Sequence, residues 1–336
     1  WPKSETSYSR GDDAGGSVKK HVGQIVLKAW AFAGLLLAIA VAGVYLLRSW
    51  FFRPLSSIRE GIEAIGARKF ATRLPLVSNN ELGRLVAAFN HSLETLQELA
   101  VAGVVQESLL SEPYAAFGRI EVAAHSQAMT NLGGDFYSLT NADGRLLAVM
   151  GDATGHGIPA ALSMAMAKAI MLFEESRGVG DGSRIMEQFN AVFLSLREQG
   201  SKDFMTVMSL LVDGKTGQAE LINAGHPFPL LLRQGAAEAE LLSEVRGLPP
   251  GFDRRRAFAP FRVSLQPGDC LILFTDGFVE NIDREGRQMG FSGLARLVAQ
   301  TACSDLRQHM ARIFSALDLG ADQRQDDCSM LIVRFM

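Results

Sequence analysis

Cysteine is scarce in this sequence, with three residues among 336. Cys270, Cys303 and Cys328 are odd in number and widely spaced, and none belongs to a CxxC or Cys/His motif. A disulfide framework and a structural zinc site both require closely patterned cysteines, so the sequence predicts neither. The three thiols are expected to be buried and reduced, as is typical of a reducing compartment.

Neither positive nor negative charge is in large excess, because the sequence contains 33 Lys and Arg residues and 36 Asp and Glu residues, and the formal net charge is −3. No basic run interleaved with aromatic residues occurs. This composition excludes nucleic-acid binding as the main function. The hydrophobic content of 48% and the chain length are sufficient for about two or three folded units.

Charged residues are absent from the stretch 29–47, which is bounded by Lys28 and Arg48. Its length is about that of a membrane-spanning helix, and no signal-peptide cleavage site follows it. Basic residues cluster after the stretch, which predicts a transmembrane helix in a bacterial inner membrane with the C-terminal side in the cytoplasm. Residues 1–28 are polar and are interpreted as the remnant of an extracytoplasmic region that continues upstream.

Two amphipathic helices follow the predicted span. Apolar residues spaced three or four apart form one narrow seam on each helix: Leu55, Ile58, Ile62 and Ile65 on the first, and Leu82, Leu85, Phe89, Leu93 and Leu96 on the second. Such narrow seams are not buried within a single helical pair, which predicts a homodimer.

Residues 48–98 resemble a HAMP domain. The resemblance rests on Pro54 before the first seam, the connector sequence "RLP" at 73–75, and "ELG" at 81–83 followed by "FN" at 89–90. The looser apolar spacing after the second seam predicts a helical stalk over 99–112 that extends the dimer contact.

From residue 113 onward, short apolar runs alternate with turns. Strands are predicted at 120–124, 146–150, 205–212, 219–222, 230–233, 270–274 and 329–335, and helices at 159–175, 183–197, 293–301 and 304–317. The strands outnumber the helices and occur in hairpin-like groups, such as "LLVDGKTGQAELI". This pattern predicts an α+β fold with a two-sheet core flanked by helices, and not a doubly wound parallel sheet.

Aspartates stand at the ends of the predicted strands and motifs: Asp135, Asp152, Asp276, Asp326 and Asp327. A carboxylate at the end of a buried run is costly unless it is hydrogen bonded or bound to a cation. Its hard oxygen atoms suit Mg²⁺ or Mn²⁺, and the adjacent glycines allow close approach. The set therefore predicts a divalent-metal site.

Five motifs occur in the order and rough spacing of the SpoIIE-like branch of the metal-dependent Ser/Thr protein phosphatases, and the resemblance covers 113–336. They are "GD" at 134–135, "GDATGHG" at 151–157, "NAGHP" at 223–227, "FTDGFVE" at 274–280 and "DD" at 326–327. The resemblance implies an αββα sandwich with two Mn²⁺ or Mg²⁺ ions between the sheets. It also implies a phosphorylated STAS-domain protein as substrate.

The resemblance assigns roles residue by residue. Asp135 and Asp152 would bridge or flank the ions, and the carbonyl of Ala153 would complete the first site. Asp276 and Asp326 would hold the second ion, with Asp327 as the alternative to Asp326. The four aspartates Asp135, Asp152, Asp276 and Asp326 are thus also the predicted catalytic residues, acting through a water that the ions activate.

Alternative functions remain open at this stage. The "GGDFY" stretch at 133–137 also resembles the signature loop of diguanylate cyclases, but these enzymes need a second metal-binding Asp upstream, and none occurs between Asp13 and Asp135. A catalytically inactive partner-binding scaffold and a receptor without chemistry are further alternatives, which the full set of acids disfavours. His156 and His226 are expected to be structural, and Arg119 is the nearest candidate for a phosphate-binding arginine.

Overall fold

The computed structural model describes residues 12–67, 69, 71–75, 81–130, 132–155, 157–178, 181–280, 288–317 and 326–336. The chain divides into two compact units, Trp1–Glu98 and Leu99–Met336.

The N-terminal unit is helical. Helix α1 (Asp12–Leu47) passes through a π-helical turn (Arg48–Phe52) into helix α2 (Arg53–Gly66). One stretch of this helix, Lys19–Ile65, is long and apolar enough to cross a membrane, with a mean hydropathy of 2.3 in its most apolar window. The residues of that window are exposed, an arrangement that suits contact with lipid.

Helix α3 (Glu81–Leu109) packs against α2 in this unit. Gly61 on α2 admits the ring of Phe89, because a Cβ at Gly61 would lie 2.5 Å from Phe89 Cε1. The Asn90 side chain accepts a hydrogen bond from Leu74 N (2.8 Å) and donates one to Leu74 O (2.9 Å), which fastens the connector. Several residues of the predicted seams nevertheless stay exposed: Leu55, Ile62 and Leu85.

The C-terminal unit contains two antiparallel sheets. Its strands are β1 (Tyr114–Phe117), β2 (Ile120–Gln127), β3 (Asp135–Ala142), β4 (Arg145–Ala153), β5 (Met205–Asp213), β6 (Gln218–Ala224), β7 (Leu230–Leu232), β8 (Glu240–Leu241), β9 (Phe261–Ser264), β10 (Cys270–Phe274) and β11 (Cys328–Phe335). The six-stranded sheet has the order β1-β2-β11-β10-β7-β8, and the five-stranded sheet has the order β3-β4-β5-β6-β9.

Helices cover the outer face of each sheet. They are α4 (Ile158–Glu175), α5 (Gly182–Glu198), α6 (Gly277–Glu280), α7 (Gly290–Thr301) and α8 (Leu306–Ala316). Helices α4 and α5 pack on the five-stranded sheet around Phe136 and Phe189, and α6 to α8 pack on the six-stranded sheet around Phe274 and Phe278. The inner faces of both sheets form a third core, which includes Leu146. The predicted αββα sandwich is therefore confirmed.

Four strands have no counterpart in the sequence prediction: β1, β3, β8 and β9. Strand β3 has the sequence "DFYSLTNA", whose polar residues obscure the apolar pattern of a strand. The neighbouring strand β4 and helix α4 nevertheless bury most of it. Helix α8 begins two residues later than predicted because Asp305 caps it, accepting from Arg307 N at 2.9 Å. The helix predicted to form the stalk ends at Leu109.

Candidate metal centre

Two predicted ligands are brought together by the pairing of β3 with β4. Asp135 opens β3 and Asp152 lies near the end of β4, and the two are direct partners across the antiparallel ladder. Directly opposed residues have Cβ atoms about 5 Å apart. The local fold therefore places two carboxylates side by side at one end of the five-stranded sheet.

Asp135 connects the two sheets. Its side chain is 5% exposed, and its Oδ2 accepts a hydrogen bond from Thr275 Oγ1 (2.9 Å), just beyond β10 of the other sheet. Within the described residues, Asp135 Oδ1 is buried and has no hydrogen-bond partner. A buried carboxylate oxygen left without a donor is strongly unfavourable, and a bound cation would satisfy it.

A second acidic group forms where β10 ends. Asp276 precedes the short helix α6, and Glu280 lies at the end of that helix. One carboxylate oxygen from each of Asp276, Glu280 and Asp326 lies within 4.8 Å of the others. The sequence prediction missed Glu280, although its spacing of four from Asp276 in "DGFVE" places both acids on one side of a helical turn.

Asp327 has a different environment from Asp326. It is 4% exposed, and its carboxylate accepts hydrogen bonds from Met129 N (2.6 Å) and Gly134 N (2.7 Å). Asp326 is more exposed, and its carboxylate accepts from Asp327 N at 2.8 Å. Asp327 therefore holds the backbone of the loop before Asp135, whereas Asp326 lies beside Asp276 and Glu280.

The carbonyl of Ala153 lies against Gly134. A Cβ at Gly134 would stand 2.6 Å from Ala153 O, and Ala153 N donates to Gly134 O at 3.2 Å. Glycine is therefore required at this position for the loop and the end of β4 to meet. The same contact places Ala153 O beside Asp135 and Asp152, as the predicted first metal site requires.

The acids repel one another in the absence of cations. Burial, followed by the charges of neighbouring acids, raises the pKa of Asp152 to about 10. Burial and the charge of Asp327 raise the pKa of Asp135 well above its ordinary value. Burial, Asp326 and Glu280 raise the pKa of Asp276. Converging carboxylates that are costly to ionise, together with an unpartnered Asp135 oxygen, fit divalent cations that prefer oxygen ligands.

Of the three other residues singled out from the sequence, His226 and Arg119 lie in structural environments. His226 is buried, its Nδ1 hydrogen bonds with Thr206 Oγ1 (2.9 Å), and burial lowers its pKa to about 3. His156 lies outside the described residues. Arg119 donates to Met336 O (2.7 Å) and stacks on Phe335, at the opposite end of β2 from Asp327, so it does not reach the acids.

Comparison with known proteins agrees with this geometry. The family described as Stage II sporulation protein E (SpoIIE) matches residues 142–336, and the HAMP domain family matches residues 46–98. The phosphoserine phosphatase RsbU of Bacillus subtilis (strain 168) is 26% identical over 244 residues, which are 72% of this chain and 71% of RsbU.

Solved structures share the fold. The SiaA-PP2C domain of Pseudomonas aeruginosa superposes with a TM-score of 0.62 at 23% identity, over 73% of this chain and 99% of that domain. RsbX, solved in complex with magnesium, superposes with a TM-score of 0.50 at 17% identity, over 66% of this chain and 98% of RsbX. With the family match spanning more than half of the sequence, the chain belongs to the SpoIIE family of protein phosphatases and carries a HAMP domain ahead of its catalytic unit.

Proposed function

We propose that this chain is a membrane-anchored signalling phosphatase that hydrolyses phosphoserine or phosphothreonine on a small cytoplasmic regulator, most plainly a STAS-domain protein. The observation that carries the proposal is the convergence of fully and partly buried aspartates from both sheets beside an unpartnered oxygen of Asp135. The kinship with a phosphoserine phosphatase supports the substrate class.

The residues divide between two ions, either Mn²⁺ or Mg²⁺, on which phosphatases of this family depend. Asp135, Asp152 and the Ala153 carbonyl would hold one ion. Asp276 and Asp326, joined by Glu280, would hold the other. When bound, ions of this kind supply Lewis acidity and a water that ionises near neutral pH.

The remaining side chains prepare the site. Thr275 fixes one oxygen of Asp135, which leaves the other free to face a cation. Asp327 holds the loop backbone through two N–H groups. His226 is neutral near pH 7 because burial lowers its pKa to about 3, so it does not serve as an imidazolium acid. No side-chain nucleophile is needed for this reaction.

Helices α1 to α3 support anchoring and dimerisation. We assign the segment 29–47 within α1 to a span of the bacterial inner membrane, with the catalytic unit in the cytoplasm. The exposed seam residues Leu55, Ile62 and Leu85, together with Val101 and Val104 on the stalk part of α3, form the expected contact with a second copy of the chain.

A phosphate-release assay tests the function. The full chain in detergent micelles would be incubated with a serine-phosphorylated STAS-domain protein, once with Mn²⁺ and once with excess chelator. Release with Mn²⁺ and none with chelator supports the proposal. Release that persists in chelator contradicts the metal mechanism, and no release in either condition favours the inactive scaffold.

A further inference from the structure

The "NAGHP" motif at 223–227 lies where the chain leaves the five-stranded sheet after β6 and crosses to β7 of the six-stranded sheet. Its histidine, His226, is 4% exposed and is not one of the acids of the metal centre. Burial of an imidazole is costly unless its polar atoms find partners. The contacts of His226 therefore indicate what the motif does.

The motif fixes the backbone of His226. Asn223 Oδ1 accepts a hydrogen bond from His226 N (2.8 Å), and Asn223 Nδ2 donates to His226 O (2.8 Å) and to Val245 O (2.9 Å). Gly225 has a φ of 84°, and a Cβ there would stand 2.5 Å from Pro249 Cγ, so this position requires glycine. The loop thus holds the residue that carries the ring in one place.

The ring of His226 contacts the strand beside Asp152. His226 Nδ1 lies 2.9 Å from Thr206 Oγ1, and the two atoms share one hydrogen bond. Thr206 on β5 is the direct partner of Asp152 on β4, and Asp152 is the direct partner of Asp135 on β3. Directly opposed residues lie on the same face of a sheet, with Cβ atoms about 5 Å apart. Asp135, Asp152, Thr206 and His226 therefore form a row across the end of the five-stranded sheet.

The same ring lies beside the six-stranded sheet. Burial lowers the pKa of His226 to about 3, and the carbonyl of Phe274, the last residue of β10, opposes this shift. His226 Nε2 is buried and has no partner at ordinary hydrogen-bond distance among the described residues. Phe274 is two residues before Asp276. The imidazole thus stands between the segment that carries Asp152 and the segment that carries Asp276.

We propose that His226 is a positioning residue, which holds Thr206 and with it the Asp152 segment at a fixed spacing from the Asp276 segment of the other sheet. The inference rests on the proposed function and extends it to a motif outside the acids. The predicted ligands come from both sheets, so their spacing depends on the groups that join the sheets at this end. The hydrogen bond from Thr275 to Asp135 is one such contact, and His226 supplies a second.

Substitutions can separate the two sides of the ring. His226→Asn places an amide near the position of Nδ1 and can keep the hydrogen bond to Thr206, whereas His226→Gln extends to the position of Nε2 and loses that bond. His226→Ala removes the ring altogether. Thr206→Val keeps the shape of the Thr206 side chain and deletes its hydroxyl.

The test begins with Mn²⁺ binding, measured by calorimetry on the metal-free full chain in detergent micelles. We expect His226→Ala and Thr206→Val each to raise the Mn²⁺ Kd by about fivefold, the effect of losing one ordinary hydrogen bond. With p-nitrophenyl phosphate at saturating Mn²⁺, kcat should fall by about tenfold, because a small displacement of a ligand misaligns the reacting atoms. His226→Asn should recover most of both losses, and His226→Gln should not.

A double-mutant cycle tests whether His226 and Thr206 act together. The variant with both His226→Ala and Thr206→Val should have an Mn²⁺ Kd no higher than that of either single variant. The matched control is Thr140→Val on β3, whose hydroxyl is buried and has no hydrogen-bond partner in the described part of the chain. This control should leave the Mn²⁺ Kd and kcat unchanged.

Four outcomes would decide the role of His226. A lower Tm with unchanged Mn²⁺ Kd and kcat in His226→Ala would show that the residue only stabilises the fold, and the inference would be wrong. Equal losses in His226→Asn and His226→Gln would also contradict it. If His226→Ala fails to fold, the isosteric Thr206→Val carries the comparison. A wild-type chain that binds no Mn²⁺ contradicts the proposed function itself, whereas wild-type binding with unaltered variants overturns the role of His226 alone.

Discussion

Replacing Asp276 with asparagine should make the metal-free protein more stable while it removes activity. The carboxylate oxygens of Asp276, Asp326 and Glu280 lie within 4.8 Å of one another. Two unit charges at that distance repel by about 3.5 kcal/mol at an effective dielectric of about 20, and by about 0.9 kcal/mol in water. Asp276→Asn keeps the shape of the side chain and deletes its charge.

The lower part of that range applies to this site. Glu280 is exposed, and solvent and salt screen its charge. Burial and the two acids also raise the pKa of Asp276, so a fraction of the protein escapes the repulsion by binding a proton. We therefore expect a gain of about 1–2 kcal/mol in the free energy of unfolding, or a rise in Tm of about 2–8 °C for a domain of this size.

The assay combines two measurements on the same sample. Thermal unfolding is followed in excess chelator at low ionic strength, and phosphate release is then measured at saturating Mn²⁺. The control is Glu238→Gln, which deletes the charge of an exposed acid outside the cluster and should change neither quantity. A Tm at or below that of wild type would refute the repulsion argument. Turnover above about a tenth of wild type would refute the assignment of Asp276 as a ligand, since a lost ligand should cost more than about 1.4 kcal/mol of barrier.

Three further changes have defined outcomes. In chelator, the Tm should fall as pH rises from about 5 to about 9. The reason is that the pKa of Asp152 is raised from 3.8 to about 10, so the folded protein keeps a proton that the unfolded chain releases. Asp152→Asn should flatten the dependence of Tm on pH. Gly134→Ala should lower the free energy of unfolding by about 1–3 kcal/mol, because its Cβ would meet Ala153 O at 2.6 Å. It should also weaken Mn²⁺ binding. Thermal melting measures the first effect and calorimetry the second. Ile62→Asp should shift the dimer towards monomer in analytical ultracentrifugation and change turnover with Mn²⁺ affinity unaltered, and a monomeric wild type at tens of micromolar would contradict this.

The acids of the centre were predictable because their chemistry is local. A carboxylate that closes an apolar run is visible in the sequence, and five such residues in family order predict a metal site. The layers were predictable for a similar reason, since the hydrophobic runs of β4, β5 and β11 are long and distinct. Strand β3 was missed because its polar residues Ser138, Thr140 and Asn141 break the apolar pattern, although strand β4 and helix α4 bury most of the strand.

The different environments of Asp326 and Asp327 could not be predicted from the sequence, because they depend on tertiary contacts. The two residues are adjacent and chemically identical, and only the bonds from Met129 and Gly134, 198 and 193 residues away, separate their environments. The contact of Gln106, on helix α3, with Gly133 in the loop before Asp135 gave no signal in the sequence, because a glutamine near the end of an amphipathic helix is ordinary on a solvated surface. Its two bonds to Gly133 exist only once the helix and the loop have packed.

Strand β11 stands in the middle of its sheet, between β2 and β10, although it is the furthest along the sequence. The ribosome synthesises β2 and β10 before β11, so each of these two strands has one unpaired edge until β11 is made. Until β11 is made, the six-stranded sheet consists of two separate parts, β1-β2 and β10-β7-β8, each with an unpaired edge that can bind a chaperone or another chain. Because Asp326 and Asp327 immediately precede β11, the acidic cluster is complete only when this strand has paired between β2 and β10.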